Sequence, residues 1–152
     1  MKLGTGITSP FTRHPAVTAS AVATLDELSG GRAFLGLGAG GTLTLAPMAI
    51  ERQKPLTAVR EMLQAIRPLL RGESVTFNGE TLKLQNASIN YPSPNLPIWV
   101  AGRGARMLSL GGELADGVVL DFIHKDILPE SVKLIQKGAE KTGNKPKICY
   151  ST

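Results

Sequence analysis

The sequence is poor in the residues that most often declare a function. It holds one cysteine, Cys149, and two histidines, His14 and His124. A single thiol excludes an internal disulfide framework, and no Cys or His cluster has metal-ligand spacing, so no metal site is expected. Aromatic residues make up only 5% of the chain: four Phe, two Tyr and one Trp. With so few stacking platforms and no dense basic run, nucleic acid is not an expected partner. No apolar run approaches the ~18 residues of a membrane span. The N-terminus has no basic-then-apolar signal pattern, so the expectation is a cytoplasmic protein with no membrane partner. There is no Gly-x-Ser-x-Gly elbow and no His-Glu-x-x-His pair, which removes support for nucleophilic hydrolysis and zinc chemistry.

What remains is enough for one folded domain, taken as residues 1–152. Apolar residues are 42% and charged residues 19%, which excludes disorder as the main state. Seventeen Gly and ten Pro are spread without a repeat, so they mark turns rather than a fibre or an array. The net charge of +5 suits either a small polyanion or a solvated surface rich in Lys.

Periodicity orders the chain as alternating strands and helices. Strands are expected at 2–7, 33–38, 97–101, 117–121 and 147–151. Between them, Pro15 opens a helix with Val17, Ala21, Leu25 and Leu28 on one face, stopped by Gly30-Gly31. Pro55 opens a second, with Leu56, Val59, Leu63, Ile66 and Leu70 aligned and Gly72 at its end. Gly102-Arg103-Gly104 leads into a third helix with Met107, Leu108 and Leu114, which Gly111-Gly112 should keep short. A fourth carries Leu128, Val132, Ile135 and Ala139. The stretch from Gly41 to Lys54 reads as loop. Val75 to Leu84 around Asn78-Gly79 reads as a hairpin, within an excursion over residues 73–92. Nearly all-apolar strands joined by crossover helices mean a parallel sheet in an α/β fold. Five strands suit either a doubly wound sheet or part of a barrel, since eight barrel strands need about 250 residues.

Candidate ligand residues gather where strands end. Gly36-Leu37-Gly38-Ala39-Gly40-Gly41 matches the dinucleotide fingerprint by letter, but no clear helix opens at once and no acid-ended strand comes at the right distance. The better reading is a strand end, around Gly38, where glycine lets a ligand approach. Ala101-Gly102-Arg103-Gly104-Ala105-Arg106 lies where a strand turns into a helix, a place that favours phosphate. Gly102 and Gly104 allow close approach, Gly104 and Ala105 offer backbone N–H groups, and Arg103 or Arg106 can add charge-assisted bonds. A plain turn with two exposed arginines stays open at this point. Gly4-Thr5-Gly6-Ile7-Thr8 is either a bulged strand or a backbone platform for a planar ring. His14 reads as a helix-start residue, and His124 comes shortly after Asp121 at a strand end. Cys149 reads as a small buried apolar residue.

Together these segments resemble the luciferase-like flavin monooxygenase superfamily. The residues that carry the resemblance are Leu3-Gly4-Thr5-Gly6-Ile7-Thr8-Ser9-Pro10, Thr24-Leu25-Asp26-Glu27-Leu28-Ser29-Gly30-Gly31-Arg32, Leu35-Gly36-Leu37-Gly38-Ala39-Gly40, Pro97-Ile98-Trp99-Val100-Ala101-Gly102 and Leu114-Ala115-Asp116-Gly117-Val118. Within that superfamily they look most like the branch that uses the deazaflavin coenzyme F420, and there like methylenetetrahydromethanopterin reductases. The resemblance implies a partial (β/α)8 TIM-type barrel, about strands 3–7, with an extra β-hairpin. It implies hydride transfer between F420 and a small organic substrate, such as a pterin, by a homo-oligomer. The alternatives are an FMN-dependent monooxygenase and a truncated barrel fragment without catalysis.

The resemblance also distributes roles. A non-prolyl cis peptide behind the cofactor ring maps to Gly6–Ile7, with Thr8 beside it. The cofactor phosphate maps to the turn from Gly102 to Arg106. No catalytic residue can be assigned. Gly41 stands where F420 enzymes often carry an acid, and Ser9 where Asn is common.

Overall fold

The computed structural model describes residues 1–151. They form two compact units, residues 1–96 and 97–151. In the first, the order is β1 (Leu3–Gly4), α1 (Pro15–Ser29), β2 (Ala33–Gly38), α2 (Thr42–Leu45), α3 (Pro55–Leu70), β3 (Val75–Asn78) and β4 (Lys83–Ala87). Proline in the first turn starts α1 and α3, where its missing N–H costs nothing. Gly30 ends α1 in the left-handed conformation, with its N–H bonded back to Glu27. β1 and β2 are parallel, Leu3 opposite Ala33 and Gly4 opposite Phe34. The core of this unit is the face of α3 that carries Val59, Met62, Leu63, Ile66 and Leu69, with Leu35 and Leu37 of β2 also fully buried.

Two expectations about helices in this unit need correction. The buried face of α1 is Thr18, Ala19, Val22 and Ala23, while Val17 and Leu28 are exposed. Small apolar residues surround this helix on all sides, so its periodicity does not fix which side packs. The stretch after Gly41 is not simple loop. It holds the single turn of α2 and a 3-10 turn over Ala46–Met48.

The hairpin forms, but not by the turn that Asn78-Gly79 suggests. Asn78 pairs with Lys83, and the Gly79 N–H bonds the Leu82 carbonyl across a four-residue turn. Neither Asn78 nor Gly79 has a positive φ. Glycine is needed at 79 for another reason: a Cβ there would lie 2.5 Å from Cδ of Glu61. Glu61 is buried on α3 and its carboxylate accepts from the N–H groups of Glu80, Thr81 and Leu82 and from the Thr81 hydroxyl. Burial alone would raise its pKa. The Thr81 hydroxyl and the three N–H groups outweigh that and hold it below the ordinary value of 4.5. A lowered carboxylate pKa stabilises the fold above the unfolded-state value, and that stability is lost as pH falls through the folded value. Glu61→Gln sets an amide against these donors and should cost about 2–3 kcal/mol at pH 7. Urea titration should show the gap to wild type shrinking below pH 4.5.

The second unit is β5 (Ile98–Ala101), α4 (Ala105–Leu114), β6 (Gly117–Asp121), α5 (Leu128–Glu140) and β7 (Lys147–Ser151). Its three strands are parallel, with Ala101 opposite Val119 and Val119 opposite Cys149. Leu108, Val118, Leu120, Ile123 and Ile135 form its buried cluster, with Leu128 and Val132 packed on it. Asp116 receives the Ile98 N–H at 2.7 Å, and Asn144 donates to the carbonyls of Gly112 and Ala115. These bonds tie the strand starts to the ends of α4 and α5. α4 runs ten residues through Gly111-Gly112, because both glycines are buried rather than merely flexible. Every residue of β7 is exposed, so Cys149 is a free exposed thiol and not a core residue.

Candidate cofactor site

The first unit builds a platform at the end of β1. Past Gly4 the strand leaves its ladder, and pairing resumes at Thr8 opposite Leu37. Four residues on one strand therefore match three on the other, which is a one-residue bulge. Thr5 fills the gap with its side chain: Oγ1 donates to the Gly36 carbonyl at 2.7 Å and accepts the Gly36 N–H at 3.0 Å. Gly36 must be glycine, because a Cβ would lie 2.0 Å from the Thr5 carbonyl oxygen. Thr8 closes the bulge, donating to Gly36 and accepting from Gly38. The Gly6–Ile7 peptide is cis. Gly6 and Ile7 are exposed, and no protein atom lies within 4 Å of where a Gly6 Cβ would stand. The result is an open, exposed stretch of backbone.

Around it, Ser9 is buried and its hydroxyl accepts the Phe11 N–H. Gly41 caps α2 in an extended conformation with open space beside it and no carboxylate to offer. Arg52 donates to the Gly40 carbonyl at 2.9 Å. His14 caps α1 with its Nε2 3.4 Å from the Lys83 carbonyl, so it braces the hairpin rather than the platform.

In the second unit the chain turns from the end of β5 into α4 through Gly102, Arg103 and Gly104. Gly104 is the N-cap of α4, and its carbonyl accepts from Met107 and Leu108. Among the described residues, the N–H groups of Ala105 and Arg106 find no acceptor. No side chain caps this end, and Arg103 to Arg106 are exposed. Two free N–H groups, the helix dipole and two guanidiniums without a partner among the described residues suit a phosphate. The two glycines differ. A Cβ at Gly102 would lie 2.5 Å from Cγ of Met107, whereas the space beside Gly104 is open. Of the two, only Gly104 has open space beside it. The sequence did not single out the shaping roles of Thr5 and Glu61, since a lone Thr or a helical Glu carries no spacing signal. Among the described residues there is no cluster of His, Cys, Asp or Glu that could hold a metal. No helix among them is long and apolar enough to cross a membrane.

Comparison with known proteins identifies the family. The family model described as luciferase-like monooxygenase matches residues 1–152. The chain belongs to that family. It is 44% identical over 147 residues to 5,10-methylenetetrahydromethanopterin reductase of Methanolobus tindarius, covering 97% of this chain and 45% of that protein. F420-dependent glucose-6-phosphate dehydrogenase of Nakamurella multipartita is 32% identical over 153 residues, covering 94% and 44%. The solved structure of coenzyme F420-dependent tetrahydromethanopterin reductase from Methanopyrus kandleri matches with a TM-score of 0.92 at 32% identity, over 100% of this chain and 50% of that one. This family member thus spans about half the length of the relatives it matches.

Proposed function

We propose that this chain is the cofactor-holding part of an F420-dependent oxidoreductase that moves a hydride between F420 and a small organic substrate of the pterin class. The observation that carries the reading is the phosphate-type turn at Gly104–Arg106, set in a chain 44% identical to a methylenetetrahydromethanopterin reductase. In barrel terms the strands correspond to about the third to the seventh of a (β/α)8 fold. When bound, F420 supplies the hydride chemistry itself. The chain's residues bind and orient. Gly6, Ile7 and Thr8 offer a flat backbone to the ring, with Gly38 anchoring the bulge from β2. The N–H groups of Ala105 and Arg106 take the phosphate, and Arg103 and Arg106 add charge. Gly102 and Gly104 keep the turn low. Gly41 brings no proton donor, so substrate protonation falls to groups other than this position.

FMN presents a phosphate to the same turn, so an FMN-dependent monooxygenase is the second reading. The free, exposed Cys149 thiol suits the reducing cytoplasm. Exposed Val17 and Leu28 on α1 leave apolar surface for a homo-oligomer. Equilibrium titration with F420 and with FMN tests the main reading: F420 should bind at least tenfold more tightly. Arg103→Ala should weaken F420 binding by roughly 1.5–3 kcal/mol, the worth of a charged hydrogen bond. Preference for FMN, or no effect of Arg103→Ala, counts against it.

A further inference from the structure

Four non-glycine residues among those described have left-handed backbone: Ala49, Lys54, Asn86 and Phe122. Three have local reasons. Ala49 ends a 3-10 turn, Lys54 is the N-cap of α3, and Asn86, a residue that tolerates this region, lies in the irregular hairpin. Phe122 has no such reason. It is bulky, its φ is 51°, and it comes directly after Asp121, the last residue of β6. A left-handed conformation is unfavourable for a side chain of this size. Burial would normally offset that cost, but Phe122 is 77% exposed.

Its neighbours enforce the strain. Ile123 is 5% exposed and belongs to the buried cluster, and its carbonyl accepts the Tyr150 hydroxyl at 3.0 Å. With Asp121 held in the ladder opposite Ser151 and Ile123 pinned in the core, the intervening residue must reverse direction and stand outward. Glycine would do this without strain, yet the chain places a phenyl ring there. Since Ala101 pairs with Val119, the end of β6 runs beside the turn that succeeds β5. Phe122 therefore projects at the same strand ends that present the free N–H groups of Ala105 and Arg106.

We propose that Phe122 is a cofactor-contact residue: its ring packs on the portion of the cofactor next to the phosphate and shields the phosphate bonds from water. This rests on the cofactor reading of the Gly104–Arg106 turn, and deepens it. The backbone cost is kept because the ring contributes to binding and not to folding.

The decisive variant is Phe122→Gly, measured for melting temperature without ligand and for affinity by titration with F420 and with FMN. Glycine relieves the left-handed strain but loosens the unfolded chain, so the melting temperature should stay level or rise by about 1–4 °C. Loss of the ring should weaken cofactor binding about tenfold. Phe122→Tyr should bind like wild type. Unchanged affinity in Phe122→Gly overturns the proposal. So does a lower melting temperature, because the ring would then serve the fold itself. If the chain takes FMN and not F420, the F420 reading falls, while a tenfold loss of FMN affinity in Phe122→Gly still supports the contact. Failure to bind either cofactor overturns both.

Discussion

Gly104→Val should abolish cofactor binding while the protein still folds. Gly104 has φ −82° and ψ 142°, an extended conformation that valine adopts readily. No protein atom lies within 4 Å of the new Cβ, so nothing in the fold resists it. Valine is a poorer N-cap than glycine, at a cost of about 1 kcal/mol or less, which is a few degrees in melting temperature. Binding is another matter. In the proposed site a phosphate comes within about 3 Å of the Ala105 and Arg106 N–H groups, and the valine methyl groups would fill the open space beside that turn. A 100-fold or greater rise in Kd for F420 is expected, with the circular dichroism spectrum unchanged. Gly102→Val makes the contrast. There the side chain meets Met107 first, so stability should fall along with affinity. If Gly104→Val binds like wild type, the phosphate lies elsewhere.

That pair of glycines marks the limit of what the sequence made legible. Both occur in one short motif, and letter patterns treat them alike. Only the packing separates a glycine that admits a neighbouring side chain from one that leaves space empty. The same holds for Gly36. Its place in a Gly-x-Gly-x-x-Gly string invited a ligand reading, yet its role is to let Thr5 come within reach of its backbone. Strand positions were readable because buried parallel strands are nearly unbroken apolar runs, as at Ala33–Gly38 and Gly117–Asp121. β1 was overextended because its glycines hide a bulge, which breaks the ladder after Gly4 without changing the composition. β7 reads as a buried strand in Ile148-Cys149-Tyr150, but its residues are exposed, since burial depends on neighbours that local sequence does not report.

Glu61 and Phe122 escaped notice for opposite reasons. Glu61 lies on the apolar stripe of α3 and looks like a stray polar residue, while its four donors come from a hairpin some twenty positions away. Phe122 comes after a strand, where an aromatic is ordinary. Its left-handed backbone is fixed by the burial of Ile123 and the Tyr150 bond, neither of which is a local property.

The largest stability loss is expected from Gly138→Ala, a substitution that helix propensity alone says should stabilise by up to about 1 kcal/mol. Gly138 lies in α5 facing α4, and a Cβ there would stand 1.9 Å from the Ser109 carbonyl oxygen and 2.7 Å from its carbon. Gly112, on α4, is the reciprocal contact: its Cβ would fall 2.0 Å from the Ile135 carbonyl oxygen. The two helices meet backbone to backbone, so no side-chain rotation can relieve the clash. α4 and α5 would have to separate by about an ångström or more, and that opens the cluster of Leu108, Val118, Leu120 and Ile135 beneath them. Overpacking of this kind costs about 3 kcal/mol, which outweighs the propensity gain. The lost Asn144 bonds to Gly112 and Ala115 would add to it. Chemical denaturation should show a midpoint shift of that size for Gly138→Ala, and a comparable one for Gly112→Ala. Each alone already forces the helices apart, so the double variant should lose much less than the sum. Additive losses, or a Gly138→Ala protein as stable as wild type, would mean that α4 and α5 do not pack through these two glycines.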